Sequence, residues 1–311
     1  MILANEVNST TKKVWEMLVA SRLGDIITIK KLADDCPELL YAQYNYIPPI
    51  HFAVREGHVE LVKYLLQQGA HDTQYKIYPF NESLETIAND RGFDEIVSLL
   101  QQYANYPSAQ KYSGDNGKII YNRTDEEKEF EQAVYDEDLE KTGTILKKHP
   151  EFVKDETFFW SEGILAFAAK ENNRAMIDLL MSYGAKVPKL LKWAQFYYFE
   201  RLDAAAYMMK TGMDPNTMSW QHVTLLHDMA QKGNLEKAEL LIEYGAELDL
   251  IEEEYQSTPL GMAARWGQVE MVKFLMKKGA DPNKASKDWA KPVEWAKKKG
   301  HEEITELLIN K

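Results

Sequence analysis

The chain has one cysteine, Cys36, in 311 residues. An intrachain disulfide is therefore excluded, and the composition fits a reducing compartment. Basic residues are in deficit, 37 Lys and Arg against 49 Asp and Glu, for a formal charge of −12. Such a chain lacks the basic footprint that duplex nucleic acid or an anionic bilayer requires, so neither is expected as a partner. Apolar runs such as 193–199 are far shorter than the ~20 residues needed to span a membrane. Met1 to Lys13 lacks a basic region followed by an apolar block, so no signal peptide is read there and a cytoplasmic location is expected. No Cys/His cluster has zinc spacing, and there is no phosphate loop, nucleophile elbow, HExxH or EF-hand loop. No cofactor, metal or catalytic residue is assigned.

What the chain does have is internal repetition. Thr224–Ala246, Thr258–Ala280 and Pro48–Ala70 each open on a turn, run through an apolar stripe to a glycine, and continue with a second stripe that closes on Gly-Ala. The internal glycines Gly233, Gly267 and Gly300 are 34 and 33 residues apart, and the closing glycines Gly212, Gly245 and Gly279 are 33 and 34 apart. Thr258-Pro259 reads as a helix start, with the hydroxyl capping a free amide and proline placed where its missing N–H costs nothing. Val269, Val272, Leu275 and Met276 share one helical face, and Gly279 can end that helix in the left-handed conformation. One helix pair cannot bury its own stripe, but stacked neighbours can. Leu241 and Leu275 are thus expected between layers, and the charged run from Lys297 to Glu306 should form a polar terminal face.

The segments TPLGMAARWGQVEMVKFLMKKGADPN (258–283), PPIHFAVREGHVELVKYLLQQGA (48–70) and TLLHDMAQKGNLEKAELLIEYGA (224–246) resemble the ankyrin repeat. KPVEWAKKKGHEEITELLI (291–309) and GILAFAAKENNRAMIDLLMSYGA (163–185) resemble it too, the latter with Asn172 in the internal glycine slot. Weaker copies occupy 15–40, 83–102, 130–152 (Glu137 in the glycine slot) and 188–212. Some of the wording is similar to bacterial ankyrin proteins. The resemblance implies an all-α solenoid of about nine helix-turn-helix repeats with hairpin-like tips. Three fall in an N-terminal block (1–102) and six in a C-terminal block (125–311), joined by an irregular connection (103–124) and expected to form one continuous solenoid.

The resemblance also implies a concave groove built from tips and first helices, where partners bind. Several tips carry aromatics, which suit interfaces because they bury large area around a polar handle. The candidate binding residues are Tyr46, Trp160, His222, Tyr255 and Trp289 at the tips, Trp193 and Tyr197 as a floor, and Arg265 at the groove edge. The expected function is a non-enzymatic scaffold for a protein or peptide. The alternative is a small polar ligand such as a carbohydrate, or an enzyme, with a pocket bounded by 192–200, 220–222 and 255. The helix KWAQFYYFE (192–200) carries more large rings than a repeat's first helix ordinarily holds, so it either packs with wider spacing or lines a pocket. His51 and His227 occupy the family's turn-bonding histidine slot. Arg55, Lys170 and Arg265 read either as a basic ladder or as a solvated helix edge, and Glu252–Glu254 reads as a solvated loop.

Overall fold

The computed structural model describes residues 2–3, 6–7, 11–44, 47–70, 72, 75–77, 80–105, 123–188, 190–191, 195–219 and 221–310. They fall into two compact units, divided between Ile120 and Tyr121. Most of the irregular connection, including 106–122, lies outside the described residues.

In the first unit three helix pairs follow one another: Thr11–Leu23 with Ile26–Asp35, Pro49–Glu56 with Val59–Gln67, and Leu84–Arg91 with Asp94–Tyr103. The first helices of successive pairs pack side by side. In the second unit six pairs follow: Asp125–Tyr135 with Leu139–Lys148, Ile164–Lys170 with Arg174–Ser182, Gln195–Phe199 with Leu202–Lys210, Leu225–Lys232 with Leu235–Glu243, Pro259–Arg265 with Val269–Lys278, and Pro292–Lys299 with Glu302–Ile309. Strand structure among the described residues is minor. Ile2–Leu3 pairs antiparallel with Glu6–Val7, and Leu190–Leu191 pairs parallel with Met218–Ser219.

The helix starts follow the sequence. The Thr258 hydroxyl accepts from the Gly261 amide at 3.3 Å, and Thr124 and Glu127 close a reciprocal capping box ahead of the acidic first turn of Asp125–Tyr135. Leu241, Leu275 and Val272 are fully buried. Glu137 and Asn172 adopt φ of 57° and 56°. The backbone thus takes the left-handed turn at the glycine slot even where glycine is absent. The matched layouts around Pro37 and Pro150 both form short 3-10 turns, Pro37–Tyr41 and Pro150–Lys154.

A second device ties three of the repeats to their predecessors. The residue after the internal glycine reaches back to a carbonyl near the end of the preceding first helix. His58 Nε2 meets Arg22 O at 2.8 Å, Gln268 Nε2 donates to Gln231 O at 2.8 Å, and His301 Nε2 meets Arg265 O at 3.1 Å. The rings of His58 and His301 lie over Gly24 and Gly267, where a Cβ would approach them to 2.6 and 2.8 Å. Glycine is thus required at these slots for clearance as well as for its backbone.

Candidate binding surface on the second unit

The tips of the second unit are tight turns joined from repeat to repeat by backbone hydrogen bonds. Ser219 N–H donates to Val223 O at 2.9 Å, and Glu252 N–H donates to Ser257 O at 3.1 Å. Glu253 N–H donates to Gln221 O at 2.9 Å, and Ser286 N–H to Gln256 O at 3.1 Å, linking three successive tips. His222 and Gln256 each lie two residues before a threonine cap and have φ of 61° and 56°.

The structure separates the expected site residues into three groups. Tyr46 and Trp193 lie outside the described residues, as does the side chain of Trp160. Tyr197, His222 and Trp289 retain exposed surface. Tyr197 packs on Phe159 with centroids 5.1 Å apart. The His222 side chain is 54% exposed, with Nδ1 3.5 Å from Glu253 Oε1. Trp289 meets Trp295 edge-on at 5.7 Å.

Tyr255 and Arg265 form the third group, and they correct the groove expectation. Tyr255 is 1% exposed and Arg265 4%. Tyr255 is held edge-on between Trp266 and Trp295, at 5.2 and 5.8 Å. The Arg265 guanidinium lies 4.3 Å from the Tyr255 centroid and 4.2 Å from that of Trp266. Cation–π attraction is strongest where such a pair is desolvated, so both residues glue the last two repeats together and are not open to a ligand. Arg55 is likewise buried, 5.0 Å over Phe52 and 2.8 Å from Glu56. The basic ladder therefore has two of its three rungs inside the protein.

The run Glu252–Glu254 is also not the solvated loop expected. Glu252 and Glu254 are fully buried. Glu252 accepts from the amides of Glu254 at 2.6 Å, Tyr255 at 2.8 Å and Ser257 at 3.3 Å, which makes it the internal brace of the tip. Gln221 donates its side-chain amide to Glu254. Burial, followed by the neighbouring charge of Glu254, pushes the Glu252 pKa up to about 8, against the pull of those amides. Gln221 and Glu254 are thus paired with each other inside the tip, and Tyr255 is packed against Trp266 and Trp295.

His227 is structural. Its Nδ1 accepts from Thr224 N–H at 3.2 Å, and Nε2 meets Leu250 O at 3.0 Å and Ser257 O at 3.3 Å. Burial holds it neutral, with a pKa lowered to about 4. His51 is buried with Nδ1 3.1 Å from the Tyr75 hydroxyl. Among the described residues no group of three or more His, Cys, Asp or Glu side chains could hold a metal ion. Among them, too, no helix is long and apolar enough to cross a membrane.

Stacked helix pairs with left-handed junctions, hydrogen-bonded tips and no assembled reactive centre among the described residues define a helical repeat protein of the kind that presents surfaces. The ankyrin-repeat family models identify which kind: three copies match residues 191–286 and one matches 45–75. The chain is an ankyrin-repeat protein. It is 37% identical over 84 residues to the ARF GTPase-activating protein GIT2 of Mus musculus, covering 27% of this chain and 12% of that protein. The ARF GTPase-activating protein GIT1 of Homo sapiens is 34% identical over 84 residues, 27% of this chain and 11% of that one. The palmitoyltransferase ZDHHC17 of Mus musculus is 29% identical over 148 residues, covering 48% and 22%. The chain therefore spans only a small part of each of these relatives, all of them animal proteins.

Proposed function

We propose that the chain is a non-enzymatic scaffold that binds a protein or peptide partner across the tips and first helices of its second unit. The observation that carries this reading is the linked series of tips, in which His222 and Trp289 keep solvent-facing surface, as does Tyr197 on helix Gln195–Phe199, while Glu252 is buried and braces the tip at 252–257 from within. Rings on a braced backbone give up little conformational entropy on binding, which is what makes an aromatic anchor effective. The repeat family supports a protein partner by analogy of fold alone.

The test uses peptides selected from a random library against the intact chain. His222→Gly and Trp289→Ala are each expected to weaken the selected peptides by more than about 1 kcal/mol, the usual hot-spot threshold, with the unfolding midpoint of His222→Gly no lower than the parent's. Unchanged affinity in both variants removes the tips from the binding surface.

A further inference from the structure

Charge is unevenly distributed along the second unit. From Arg123 to Glu270 there are 16 Lys and Arg against 28 Asp and Glu, whereas from Met271 to His301 nine lysines face only Asp281, Asp288 and Glu294. The last repeat and its tip are therefore a basic end on an acidic array. Lys273, Lys278, Lys291 and Lys297 pair with neighbouring carboxylates. Lys284 and Lys287 are exposed, and neither forms an ion pair with any described residue. A helix dipole accounts for lysines in the last turn of Pro292–Lys299. It does not account for Lys284 and Lys287, which precede the 3-10 turn Asp288–Ala290. They stand five and two residues before Trp289, in the tip that Ser286 N–H ties to Gln256 O at 3.1 Å. Trp289 keeps partial exposure and is set edge-on against buried Trp295 at 5.7 Å, so its ring is held in place. A fixed ring with surface to offer thus shares its turn with two unpaired cations.

We propose that this last tip docks an acidic segment of a partner polypeptide. One apolar side chain of that segment packs on Trp289, and its carboxylates meet Lys284 and Lys287. The inference rests on the scaffold reading above and names the chemistry of its partner. Charge-assisted bonds from the lysines set the register, and the ring supplies buried area. The net charge of −12 does not forbid such a partner. At physiological salt, exposed charges more than about 8 Å apart are largely screened, so a short segment responds to the lysines beside it. A nucleic acid strand running on from the tip would instead meet the acidic repeats, which favours a polypeptide.

The test is an NMR titration of the intact chain at physiological salt, read at the indole N–H of Trp289, which Trp289→Phe assigns. The probes are acetyl-Asp-Glu-Phe-Glu-Asp-amide, its neutral counterpart acetyl-Asn-Gln-Phe-Gln-Asn-amide, and a single-stranded DNA pentamer. The acidic peptide is expected to shift the Trp289 signal and to bind about tenfold tighter than the neutral one. That advantage should fade at about 1 M salt, where screening is nearly complete at contact distance. Joint Lys284→Glu and Lys287→Glu substitution should abolish it. Lys277→Glu, an exposed change on the second helix Val269–Lys278, should leave it within about twofold. Equal binding of the two peptides, an advantage that survives the double substitution, or an equal loss in Lys277→Glu overturns the acidic dock. Tighter binding of the DNA assigns the tip to nucleic acid, and a Trp289 shift driven by protein concentration alone assigns it to a second copy; either overturns the proposal. Equal binding with the Trp289 signal still shifting removes the acidic preference and leaves the tip surface standing. Failure of the tip surface itself is read separately, from library-selected peptides that ignore His222→Gly.

Discussion

The staple between repeats can be weighed by adding one methyl group. Gly267 has φ of +73°, and a Cβ built there falls 2.8 Å from Cε1 of His301. Gly300 has φ of +75° with nothing within 4 Å of the corresponding point. Substitution by alanine at either site forces an L residue into the left-handed region, at about 1–2 kcal/mol. Only at Gly267 must the ring of His301 also move, breaking its contact with Arg265 O at 3.1 Å, worth about 0.5–1.5 kcal/mol. Gly267→Ala is therefore expected to cost roughly 2–3 kcal/mol and Gly300→Ala about 1 kcal/mol less. Urea unfolding followed by circular dichroism, with slopes compared to confirm the same exposed surface, reads both values. In a His301→Ala background the extra cost at Gly267 should vanish. Equal costs at the two glycines, or an excess that persists without the histidine, would refute the staple.

Four further outcomes are expected. Leu275→Ala should cost about 2–5 kcal/mol, whereas trimming the terminal-face residue Lys298 to alanine should cost about 0.5 kcal/mol; comparable losses in urea melts would overturn the helix register. His227, with its pKa lowered from 6.5 to about 4 by burial, contributes stability that is present above pH ~6.5 and lost as pH falls toward 4, about 3 kcal/mol in full; unfolding free energies of His227→Gln should lack that acid limb. Glu252 has the opposite sign: its raised pKa, from 4.5 to about 8, gives stability present below pH ~4.5 and lost as pH rises toward 8, so Glu252→Gln should flatten the alkaline side of the same profile. His222→Gly should raise stability by up to about 1 kcal/mol, because the residue sits at φ 61° where glycine carries no strain; a drop in the thermal midpoint would show that the side chain supports the tip.

The pattern of helix pairs was legible because its signals are local: a cap, a stripe and a glycine slot recur at a fixed period. The slot was legible even at Glu137 and Asn172, since flanking apolar residues fix the register when glycine is missing. Residues whose role depends on another repeat were not. The run Glu252–Glu254 looks like any acidic loop until Gln221, a full repeat earlier, is placed against Glu254. Tyr255 and Arg265 carry the composition of a binding surface, and only the positions of Trp266 and Trp295 turn that surface inward. The crowded helix at 192–200 announced an anomaly without its form. Tyr198 and Phe199 are buried, Tyr197 meets Phe159, and Tyr198 borders a cleft whose other walls come from the preceding repeat. The back-reaching His58, Gln268 and His301 had a visible signal, a polar residue directly after each internal glycine, but its target carbonyl lies a repeat away.

The claim that the second unit binds through its tips and first helices is tested most directly by amide hydrogen exchange of the intact chain, with and without library-selected peptides. Protection is expected in 195–199, 219–224, 252–257 and 286–291. Protection confined to the second helices Leu235–Glu243, Val269–Lys278 and Glu302–Ile309 would contradict it.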